Sequence, residues 1–584
     1  MHVPESKTTD ARPQNGENVV LLSAQRNWHC GMYGDYDIRE IPLSLAFSRQ
    51  KVEAFLSSNG LRIEPVDTYV GVFNADEELV GGGGLDGDII KCVAVSESER
   101  GSGLMARIVS RLQSIAASQG RHTTMVFTKP ENLAVFRGLG YFLLAEAPEA
   151  ILMESSPMRL KHWAQQCVRD GEPALREGHR GAIVMNANPF TLGHQYLAEQ
   201  AARQVDELLV MVVSEDCSDF PFHERLAMVR AGTAHIPNVR VCETGPYAIS
   251  AATFPTYFLK KLSDAAETQM RLDADLFRRH IAPALGISAR FVGSEPTDAL
   301  TRRYNEILGG REIERRSSPD GEAISASRVR RGAWRLVPRT SQPYVLAHYA
   351  CRTLQEELDL TPKPGLVDRR DCGAHTDMDY TLMQRSIRTL RPYFRQMAEA
   401  AVRDGFTAEE LRGIALRAEQ AMMESTGGVN THKGALFCLG LAVAAAAMQR
   451  DDLRACIAEL ARQLPEPQGT HGAAVRKTYG VAGALENARE GFPVAFEAAE
   501  RDDGSGLREL LYIMSRLDDT NIYHRCGAET AEEVKRTAAR LLYDGFKEED
   551  IAALNGYFVR RGISPGGAAD MYDLSCFIRT VTAR

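Results

Sequence analysis

One histidine, at the start of a predicted helix, combines a residue type and a position that are typical of catalytic or ligand-binding sites. The apolar run GAIVM predicts a strand and leads directly into the loop NANPFTLGH, residues 186–194. The amphipathic run QYLAEQAARQ follows, so His194 lies at the opening of a helix. Because helix N-termini present unpaired N–H groups to anions, this loop is a candidate phosphate site. A polar surface histidine is the alternative, and the loop alone does not decide between them.

A second segment, ISASRVR, adds hydroxyl groups and a guanidinium. Ser325 and Ser327 are residue types that favour helix N-caps, and Arg330 lies one turn beyond Ser327 on the same face. Hydroxyls, backbone N–H groups and a guanidinium together suit a phosphate chain. Between the two segments, FVGSEP predicts a strand that ends at Gly293 and leads to Glu295.

The elements around these segments alternate between strands and helices, which predicts a parallel sheet with helices on both faces. The predicted strands are GAIVM, ELLVMVVS, VRVCE and ARFVGS. Ligands of such doubly wound sheets bind beyond the carboxyl ends of the strands. The loop 186–194 follows the first of these strands, so we expect it at that edge.

The carboxy-terminal part of the chain carries a different set of polar residues. The loop TGGVNTHKG is similar to a P-loop, but His432 replaces a glycine, and the loop lies between two predicted helices. Its glycine pair and polar side chains still suit a phosphate cradle. A Gly-rich connection between helices is the alternative. The candidate nucleotide-binding residues are Gly427, Gly428, Asn430, His432 and Lys433.

Acidic residues recur in the same part of the chain. Adjacent carboxylates repel each other in apolar surroundings unless a proton or cation lies between them, and Mg²⁺ held by carboxylates and a triphosphate removes that repulsion. We therefore expect Mg²⁺, with Asp377, Asp379, Asp518 and Asp519 as candidate ligands. A solvated helix face is the alternative for any one pair. The further members of three polar clusters are Lys363, Asp368, His375, Asn521, His524, Ser564, Gly566, Gly567 and Asp570.

Length and composition predict a multidomain enzyme. The 584 residues exceed a single core, and the composition changes suggest domains at 1–150, 151–340 and 345–584. The first mixes strands and helices (α+β), the second is α/β and doubly wound, and the third has helical spacing throughout (all-α). In the first, TYVGVFN and ELVGGGGLDGDIIKCVAV predict strands of one sheet joined by a Gly-rich turn.

Charge and hydropathy limit the classes of partner. The net charge is −8 with both signs interspersed, which argues against a nucleic-acid or membrane binder. The 11 cysteines include no C-x-x-C, which is typical of reduced thiols, and the polar N-terminus lacks a signal peptide's apolar region. The longest apolar run, Ala435–Met448, is shorter than the roughly 18–20 residues that a membrane span requires. A cytoplasmic location is therefore expected, with this run as a buried helix.

The middle domain resembles known nucleotide-dependent enzymes. NPFTLGH and ISASRVR resemble the motif pair of the HIGH nucleotidyltransferase superfamily. With EDCSDFPFHERL, ISAATFPTYF and FVGSEP they resemble, more narrowly, citrate lyase ligase, in which threonine is usual at the position of Thr191. The resemblance implies that ATP and acetate form acetyl-AMP, and that the acetyl group passes to the prosthetic-group thiol of the citrate lyase acyl carrier subunit.

The resemblance also implies roles for the two segments. Thr191 and His194 would donate to the α-phosphate, whose oxygens gain negative charge under attack. Ser325, Ser327 and Arg330 would hold the β- and γ-phosphates. The other candidate nucleotide-binding residues are Asn188, Gly193, Gly293 and Glu295.

The carboxy-terminal domain is similar to the triphosphoribosyl-dephospho-CoA synthase family, through PKPGLVD, GAHTDMD, STGGVNTHKGA, LDDTN and SPGGAADM. The resemblance implies that ATP loses adenine from C1′ of its ribose while a ribose hydroxyl of 3′-dephospho-CoA takes its place. One carboxylate would stabilise an oxocarbenium-like transition state and another would take the hydroxyl proton. Lys363 would contact the nucleotide, and Asp518 and Asp519 would be catalytic.

The amino-terminal domain resembles the GCN5-related N-acetyltransferase (GNAT) fold through Arg100-Gly101-Ser102-Gly103 and NLAVFRGLGY, although Met105 stands where Gly or Ala is common. A scaffold without acetyltransferase activity is the alternative. The whole chain is thus predicted to be a fusion of citrate lyase ligase, with an N-terminal GNAT-like domain, and triphosphoribosyl-dephospho-CoA synthase. The alternatives are a pantetheine-type adenylyltransferase fused to an unrelated helical domain, and a non-catalytic assembly factor.

Overall fold

The computed structural model describes residues 36–169, 179–250, 253–259, 264–295, 299–466, 469, 471–501 and 504–583. The chain forms two compact units, Met1–Val126 and Phe127–Arg584. The predicted domain boundaries near residues 150 and 340 remain predictions.

The first unit is a mixed sheet with two helices. Strands β1 to β4 form an antiparallel meander, and β5 pairs parallel to β4 at Ile89 and Met125. The elements are β1 (Asp37–Ile41), α1 (Ala46–Ser58), β2 (Thr68–Phe73), β3 (Leu79–Asp86), β4 (Ile89–Val95), α2 (Leu104–Ser118) and β5 (Met125–Thr128), which continues into the second unit.

The run of four glycines in the first unit lies inside β3, so the prediction of a Gly-rich turn there was wrong. A Cβ on Gly82 would be 2.7 Å from the hydroxyl oxygen of Tyr69, and one on Gly84 would be 2.5 Å from a methyl carbon of Val66. Neighbouring side chains therefore fill the space above these glycines. The turn itself contains Gly87, with φ 58°.

The second unit begins with small elements and continues as a parallel sheet flanked by helices, which we call the sheet part (residues 180–338). Its elements, after α3 (Leu133–Gly138), β6 (Phe142–Glu146), β7 (Ile151–Glu154) and α4 (Arg159–Arg169), are β8 (Arg180–Met185), α5 (Leu192–Ala202), β9 (Glu207–Val212), α6 (Phe222–Thr233), β10 (Val239–Glu243), α7 (Ala265–Leu276), α8 (Ala282–Leu285), β11 (Ile287–Gly293), α9 (Ala299–Leu308), β12 (Arg311–Ile313) and α10 (Ala326–Arg330).

The strand order in the sheet part is β10-β9-β8-β11-β12, and all four pairings are parallel. The prediction of a parallel sheet is thus confirmed. The order reverses direction between β8 and β11, so the loops that leave these two strands diverge and open a crevice at the carboxyl edge. The loop 186–194 leaves β8 at this point.

The rest of the second unit, residues 342–583, is the helical part, and its described residues contain no strand. This confirms the all-α prediction, and the apolar run near residue 440 is the buried α14. The helices are α11 (Gln342–Asp359), α12 (Tyr380–Ala401), α13 (Ala408–Ser425), α14 (Lys433–Ala447), α15 (Leu453–Arg462), α16 (His471–Tyr479), α17 (Ala484–Arg489), α18 (Pro493–Glu500), α19 (Gly506–Arg516), α20 (Thr520–Asp544, kinked at Gly527), α21 (Glu548–Arg561) and α22 (Gly566–Thr582).

One hydrophobic core runs through both the sheet part and the helical part. Buried residues of the sheet, such as Phe190 and Phe220, belong to the same contiguous cluster as Tyr349 in α11 and Phe394 in α12. Burying such large apolar side chains is the main stabilising term in folding. Among the described residues, no helix is long and apolar enough to cross a membrane.

Candidate active sites

His194 is held in a fixed orientation at the opening of α5. Thr191 is the N-cap; its N–H donates to Nδ1 of His194 (3.0 Å), and its hydroxyl accepts the N–H of His194 (3.3 Å). Because Nδ1 accepts a hydrogen bond, the pattern assigns the ring hydrogen to Nε2. Burial, assisted by the charge of Arg315, lowers the pKa of His194 to about 4. The ring is therefore a neutral N–H donor at pH 7.

Thr191 orients this ring. Its side chain is buried, and its hydroxyl oxygen lies 2.9 Å from Nδ1 of His194. The ring of Phe190 stacks on the imidazole at a distance of 5.8 Å between ring centres and an angle of 17°. The predicted donation from Thr191 to a phosphate would therefore compete with its bonds inside the loop.

The two predicted phosphate segments meet at Gly193. A Cβ on Gly193 would lie 3.1 Å from the carbonyl oxygen of Ile324, so the absence of a side chain lets the two segments approach closely. Ser325 caps α10 by accepting the N–H of Arg328 (3.3 Å), and its hydroxyl lies 3.0 Å from that of Ser327. Sequence reasoning placed these residues in one site, and the structure brings them together.

Arg330 is fixed by the loop after β8. Its guanidinium donates to the carbonyl oxygen of Asn188, and its Nε lies 3.2 Å from a carboxylate oxygen of Asp219. The side-chain amide of Asn188 also donates to Asp219 (3.0 Å). Ala187, just before, has φ 52°, a conformation that costs a non-glycine residue about 1–3 kcal/mol and tends to occur at functional sites. Sequence reasoning missed Asp219.

Arg225 was also missed, and it joins two of the loops at this edge. It is fully buried at 0% exposure, and its guanidinium donates to the carbonyl oxygens of Phe220 (3.0 Å), Asn186 (2.9 Å) and Val213 (2.7 Å). Burial lowers its pKa.

Glu295 and Gly293 end the neighbouring strand. The buried carboxylate of Glu295 pairs with Arg315, which also acts on His194 through its charge. The carbonyl oxygen of Gly293 accepts a hydrogen bond from the side-chain amide of Asn305 (3.0 Å). We call the residues of this edge the loop site: Asn188, Thr191, Gly193, His194, Asp219, Gly293, Glu295, Arg315, Ser325, Ser327 and Arg330.

The helical part contains a second candidate site, centred on Asp519. This residue caps α20 and accepts the N–H groups of Asn521 (2.9 Å) and Ala568 (2.9 Å), so its carboxylate lies between the N-termini of α20 and α22. Gly567 permits this approach, since a Cβ there would lie 3.0 Å from the carboxylate. Burial raises the pKa of Asp519 to about 6, although the backbone N–H groups oppose the shift.

Two further carboxyl groups of α22 face the same region. Burial, together with the charges of Asp519 and Glu357, raises the pKa of Asp570 well above its usual range. Burial and the charge of Glu357 likewise raise the pKa of Asp573. Among the described residues, Oδ1 of Asp573 is buried without a hydrogen-bond partner. Sequence reasoning named Asp570 but missed Asp573 and Glu357.

Lys363 pairs with Glu357 beneath these aspartates. The ammonium, at 1% exposure, lies 2.5 Å from a carboxylate oxygen of Glu357 and donates to its backbone carbonyl (2.8 Å). The backbone N–H of Lys363 donates to Asp368, which also accepts the N–H of Arg370 (2.6 Å). We call Glu357, Lys363, Asp519, Asp570 and Asp573 the carboxylate cluster.

His432 is buried next to this cluster. Its Nδ1 lies 2.8 Å from the hydroxyl of Ser386, and burial, together with Lys363, lowers its pKa to about 3. Among the residues that the structure describes, its Nε2 has no hydrogen-bond partner and is buried. A neutral ring with one unused nitrogen therefore lies at the opening of α14.

The rest of the loop before α14 is open. Gly427 and Gly428 have φ 67° and 91°, and a Cβ on either would meet nothing within 4 Å. Asn430 accepts the N–H of Lys433 (3.3 Å), and the exposed ammonium of Lys433 pairs with Glu419. The predicted phosphate cradle thus has free space above its backbone.

The other predicted aspartates lie in different surroundings. Asp518 is partly exposed and pairs with Lys535 (2.8 Å), whereas Asp377 is exposed and Asp379 caps α12. Over the described ranges of the chain, no group of three or more His, Cys, Asp or Glu is placed to hold a metal ion. His375 does bring two predicted clusters together, since its Nε2 lies 2.8 Å from the hydroxyl of Ser564.

Comparisons with known proteins match each part separately. Residues 180–338 match the family described as citrate lyase ligase C-terminal domain, and residues 343–584 match ATP:dephospho-CoA triphosphoribosyl transferase. A citrate (pro-3S)-lyase ligase from Haemophilus influenzae is 42% identical over 260 residues, which cover 44% of this chain and 76% of the relative.

A relative of the helical part comes from Pseudomonas syringae. This probable 2-(5''-triphosphoribosyl)-3'-dephosphocoenzyme-A synthase is 37% identical over 261 residues, which cover 40% of this chain and 90% of the relative. A solved structure, Escherichia coli ElaA, aligns with 21% of this chain and 100% of its own at 13% identity, with a TM-score of 0.19. A likeness of that size carries no conclusion.

Proposed function

The chain belongs to two enzyme families, citrate lyase ligase through its sheet part and triphosphoribosyl-dephospho-CoA synthase through its helical part, and from that premise we propose how each site works. It is a bifunctional ligase and pentosyltransferase of citrate lyase maturation. This membership removes the two alternatives, an adenylyltransferase with an unrelated helical domain and a non-catalytic assembly factor.

In the ligase reaction, His194 acts on the α-phosphate of ATP. An acetate oxygen attacks the α-phosphorus, the bond to the pyrophosphate oxygen breaks, and negative charge grows on the oxygens around phosphorus. The neutral Nε2–H of His194 and the opening of α5 donate to those oxygens. The fixed orientation of His194 against Thr191 is the observation that carries this proposal.

Arg330, Ser325 and Ser327 bind the leaving pyrophosphate. They lie beside the opening of α5 because the absence of a side chain on Gly193 lets Ile324 approach closely. The guanidinium of Arg330 is already fixed by Asn188 and Asp219, so ATP meets a donor that needs little rearrangement. The thiol of the acyl carrier's prosthetic group then attacks the acetyl carbonyl, the carbonyl–oxygen bond to AMP breaks, and the thiol proton leaves to solvent.

Pyrophosphate release tests this reaction. The full chain is incubated with ATP, with and without acetate, and we expect release only when acetate is present. Pyrophosphate release that is independent of acetate would contradict the attack of acetate on the α-phosphorus.

In the synthase reaction, the carboxylate cluster acts on the ribose of ATP. The C1′–N bond breaks and adenine leaves, and a ribose hydroxyl of 3′-dephospho-CoA bonds to C1′ and loses its proton to solvent. Asp519, ionised at pH 7, stabilises positive charge at C1′, and Asp570, whose raised pKa keeps it protonated, supplies a proton to adenine. The convergence of Asp519 and Asp570 at the N-termini of α20 and α14 carries this proposal.

Other residues of the helical part bind the triphosphate, which stays intact. The N-terminus of α14, which follows the loop with Gly427 and Gly428, supplies N–H groups to the phosphates, and Lys433 supplies a positive charge. His432 offers its unused Nε2 at the same opening.

Mg²⁺ fits this site. Asp519 is the ionised member of the Asp519–Asp570 pair at pH 7, because burial and the neighbouring carboxylates raise the pKa of Asp570 and keep it protonated. Mg²⁺ commonly takes only one or two carboxylates, with phosphates and water completing the shell. Asp519 would hold it, and it would neutralise phosphate charge. Asp518, Asp377 and Asp379 remain the predicted alternative ligands.

Free adenine tests the synthase reaction. The full chain is incubated with ATP, Mg²⁺ and 3′-dephospho-CoA, and adenine is measured by chromatography. We expect adenine to depend on all three, and its formation without dephospho-CoA would indicate simple hydrolysis instead.

The first unit remains a proposed GNAT-like domain that binds the CoA-like arm of the carrier. Gly101 and Gly103 have φ 89° and 80° and precede α2, so the backbone there is turned as a phosphate loop requires. We expect Arg100→Ala in the full chain to weaken CoA binding in titration calorimetry, and unchanged binding would favour a scaffold.

A further inference from the structure

The helical part contacts the start of α6, next to the loop site. Arg391 of α12 forms a two-bond ion pair with Glu224 at the start of α6, with Nε to Oε1 at 2.9 Å and a terminal nitrogen to Oε2 at 2.6 Å. Glu224 is only 4% exposed, and such paired, planar bonds fix position as well as charge.

A ring contact acts on the same segment. Phe220, at 0% exposure, packs against His348 of α11 with 4.5 Å between ring centres, and the guanidinium of Arg391 lies 5.6 Å from the Phe220 ring centre. Residues 219–224 are therefore held from the helical side by α11 and α12.

This segment carries the residues that fix Arg330. The N–H of Phe220 donates to the side-chain oxygen of Asn188 (3.1 Å), and Asp219 binds both Asn188 and Arg330. Anything that moves residues 219–220 thus moves the guanidinium that we assign to the pyrophosphate.

The backbone of α10 is held in the same way. The carbonyl oxygen of Arg330 accepts a hydrogen bond from Arg352 (2.6 Å), and that of Val329 accepts one from the hydroxyl of Tyr349. Both donors belong to α11 of the helical part.

We propose that Arg391 is a positioning residue of the ligase reaction: through Glu224 and Phe220 it fixes Asp219 and so the guanidinium of Arg330 before ATP binds. The ligase site of this fusion is therefore completed by the synthase half. The inference rests on the proposed role of Arg330 in binding ATP.

The test is a double-mutant cycle in the full chain. We expect Arg391→Met to raise the KM for ATP in acetate-dependent pyrophosphate release about tenfold, a common coupling for residues in one network, and to change kcat less. In an Arg330→Ala background the same substitution should change KM less than about twofold, because its effect passes through Arg330. Equal effects in both backgrounds would overturn the proposal.

Two controls separate positioning from loss of folding. Arg180→Met breaks a buried Arg–Glu pair of the same kind at the amino edge of the sheet, where Arg180 binds Glu207. It should leave the KM for ATP unchanged. The double variant Glu224→Gln/Arg391→Met leaves no unpaired buried charge, so it should fold and still show the raised KM.

The outcomes also separate this inference from the function proposed above. If Arg330→Ala leaves the KM for ATP unchanged, the role of Arg330 fails. If Arg330→Ala raises KM but Arg391→Met does not, only the positioning role fails. Adenine release should stay within about twofold of wild type in Arg391→Met, and a parallel loss of both activities would indicate a merely structural residue.

Discussion

The carboxylate of Asp570 lies directly against Gly434: a Cβ built on Gly434 would be 1.9 Å from Oδ2 of Asp570. The backbone N–H of Ala435 donates to the same carboxyl group, so the side chain of Asp570 lies against the first turn of α14. Only glycine leaves room for a carboxyl group at this distance from a helix.

We therefore expect Gly434→Ala to displace Asp570 and to reduce adenine release about tenfold or more, because misplacement of a reacting group is costly. Gly413→Ala is the matched control, since a Cβ there meets only a side-chain nitrogen of Arg417 at 3.9 Å. That control should keep activity and gain roughly 0.5–1 kcal/mol of stability as a helix substitution. Equal adenine release in both variants would remove Asp570 from the proposed site.

His194→Ala should reduce acetate-dependent pyrophosphate release about 10²-fold or more, the usual loss when one transition-state donor is removed. Adenine release should remain, because His194 lies in the sheet part. Thr191→Ser keeps the capping hydroxyl and should retain most ligase activity. Acetyl-AMP formation at nearly the wild-type rate in His194→Ala would show that another group acts on the α-phosphate.

Arg330→Ala should raise the KM for ATP in the ligase reaction, and Arg330→Lys should restore it only in part. An ammonium cannot reproduce the fork that binds Asn188 and Asp219 at the same time. Steady-state kinetics at varied ATP measures the effect, and full restoration by lysine would indicate simple charge attraction.

Asp519→Asn should abolish most adenine release, whereas Asp518→Asn should have a smaller effect. Asp519 is buried between two helix N-termini, and Asp518 is partly exposed beside Lys535. Raising Mg²⁺ should recover part of the activity of whichever variant has lost a metal ligand. Pyrophosphate release by the same protein checks that it is folded. A greater loss of adenine release in Asp518→Asn than in Asp519→Asn would indicate that Asp518 is the metal ligand.

The lowered pKa of His348 should make the stability of the protein depend on pH. Burial, together with Arg391 and Arg352, lowers its pKa to about 3, against about 6.5 in an unfolded chain. A depressed histidine pKa gives stability that is complete above pH 6.5 and is lost as the pH falls towards 3. In His348→Phe, the slope of unfolding free energy between pH 6 and 4 should decrease by up to about 1.4 kcal/mol per pH unit. Urea denaturation at several pH values measures this, and an unchanged slope would mean that the ring is already protonated.

Local patterns in the sequence predicted the parallel sheet and the helical part, whereas the resemblance of the two motifs predicted that the phosphate segments meet. The sheet and the helical part follow from the hydrophobic period of each segment and from the residue types that cap helices. Both signals depend only on residues that are close in sequence. The cap formed by Thr191 belongs to this class.

The residues that were missed depend on contacts between distant parts of the chain. Asp219 binds Arg330 across 111 positions, and Glu357 and Asp573 come together only because α11 packs on α22. Nothing in the local sequence of Arg225 or Arg391 distinguishes it from a surface arginine. Such side chains become visible only when the fold places their partners beside them.

The contacts of α22 have a consequence for how this protein melts. The helix begins beside Asp519 and ends where the indole N–H of Trp334 donates to the carbonyl oxygen of Val581 (3.0 Å). Since one core also joins the two parts, neither can unfold without exposing apolar surface of the other. Differential scanning calorimetry should then show a single heat-absorption peak for residues 127–584, and cleavage of the chain near residue 340 should yield two aggregating fragments instead of two working enzymes.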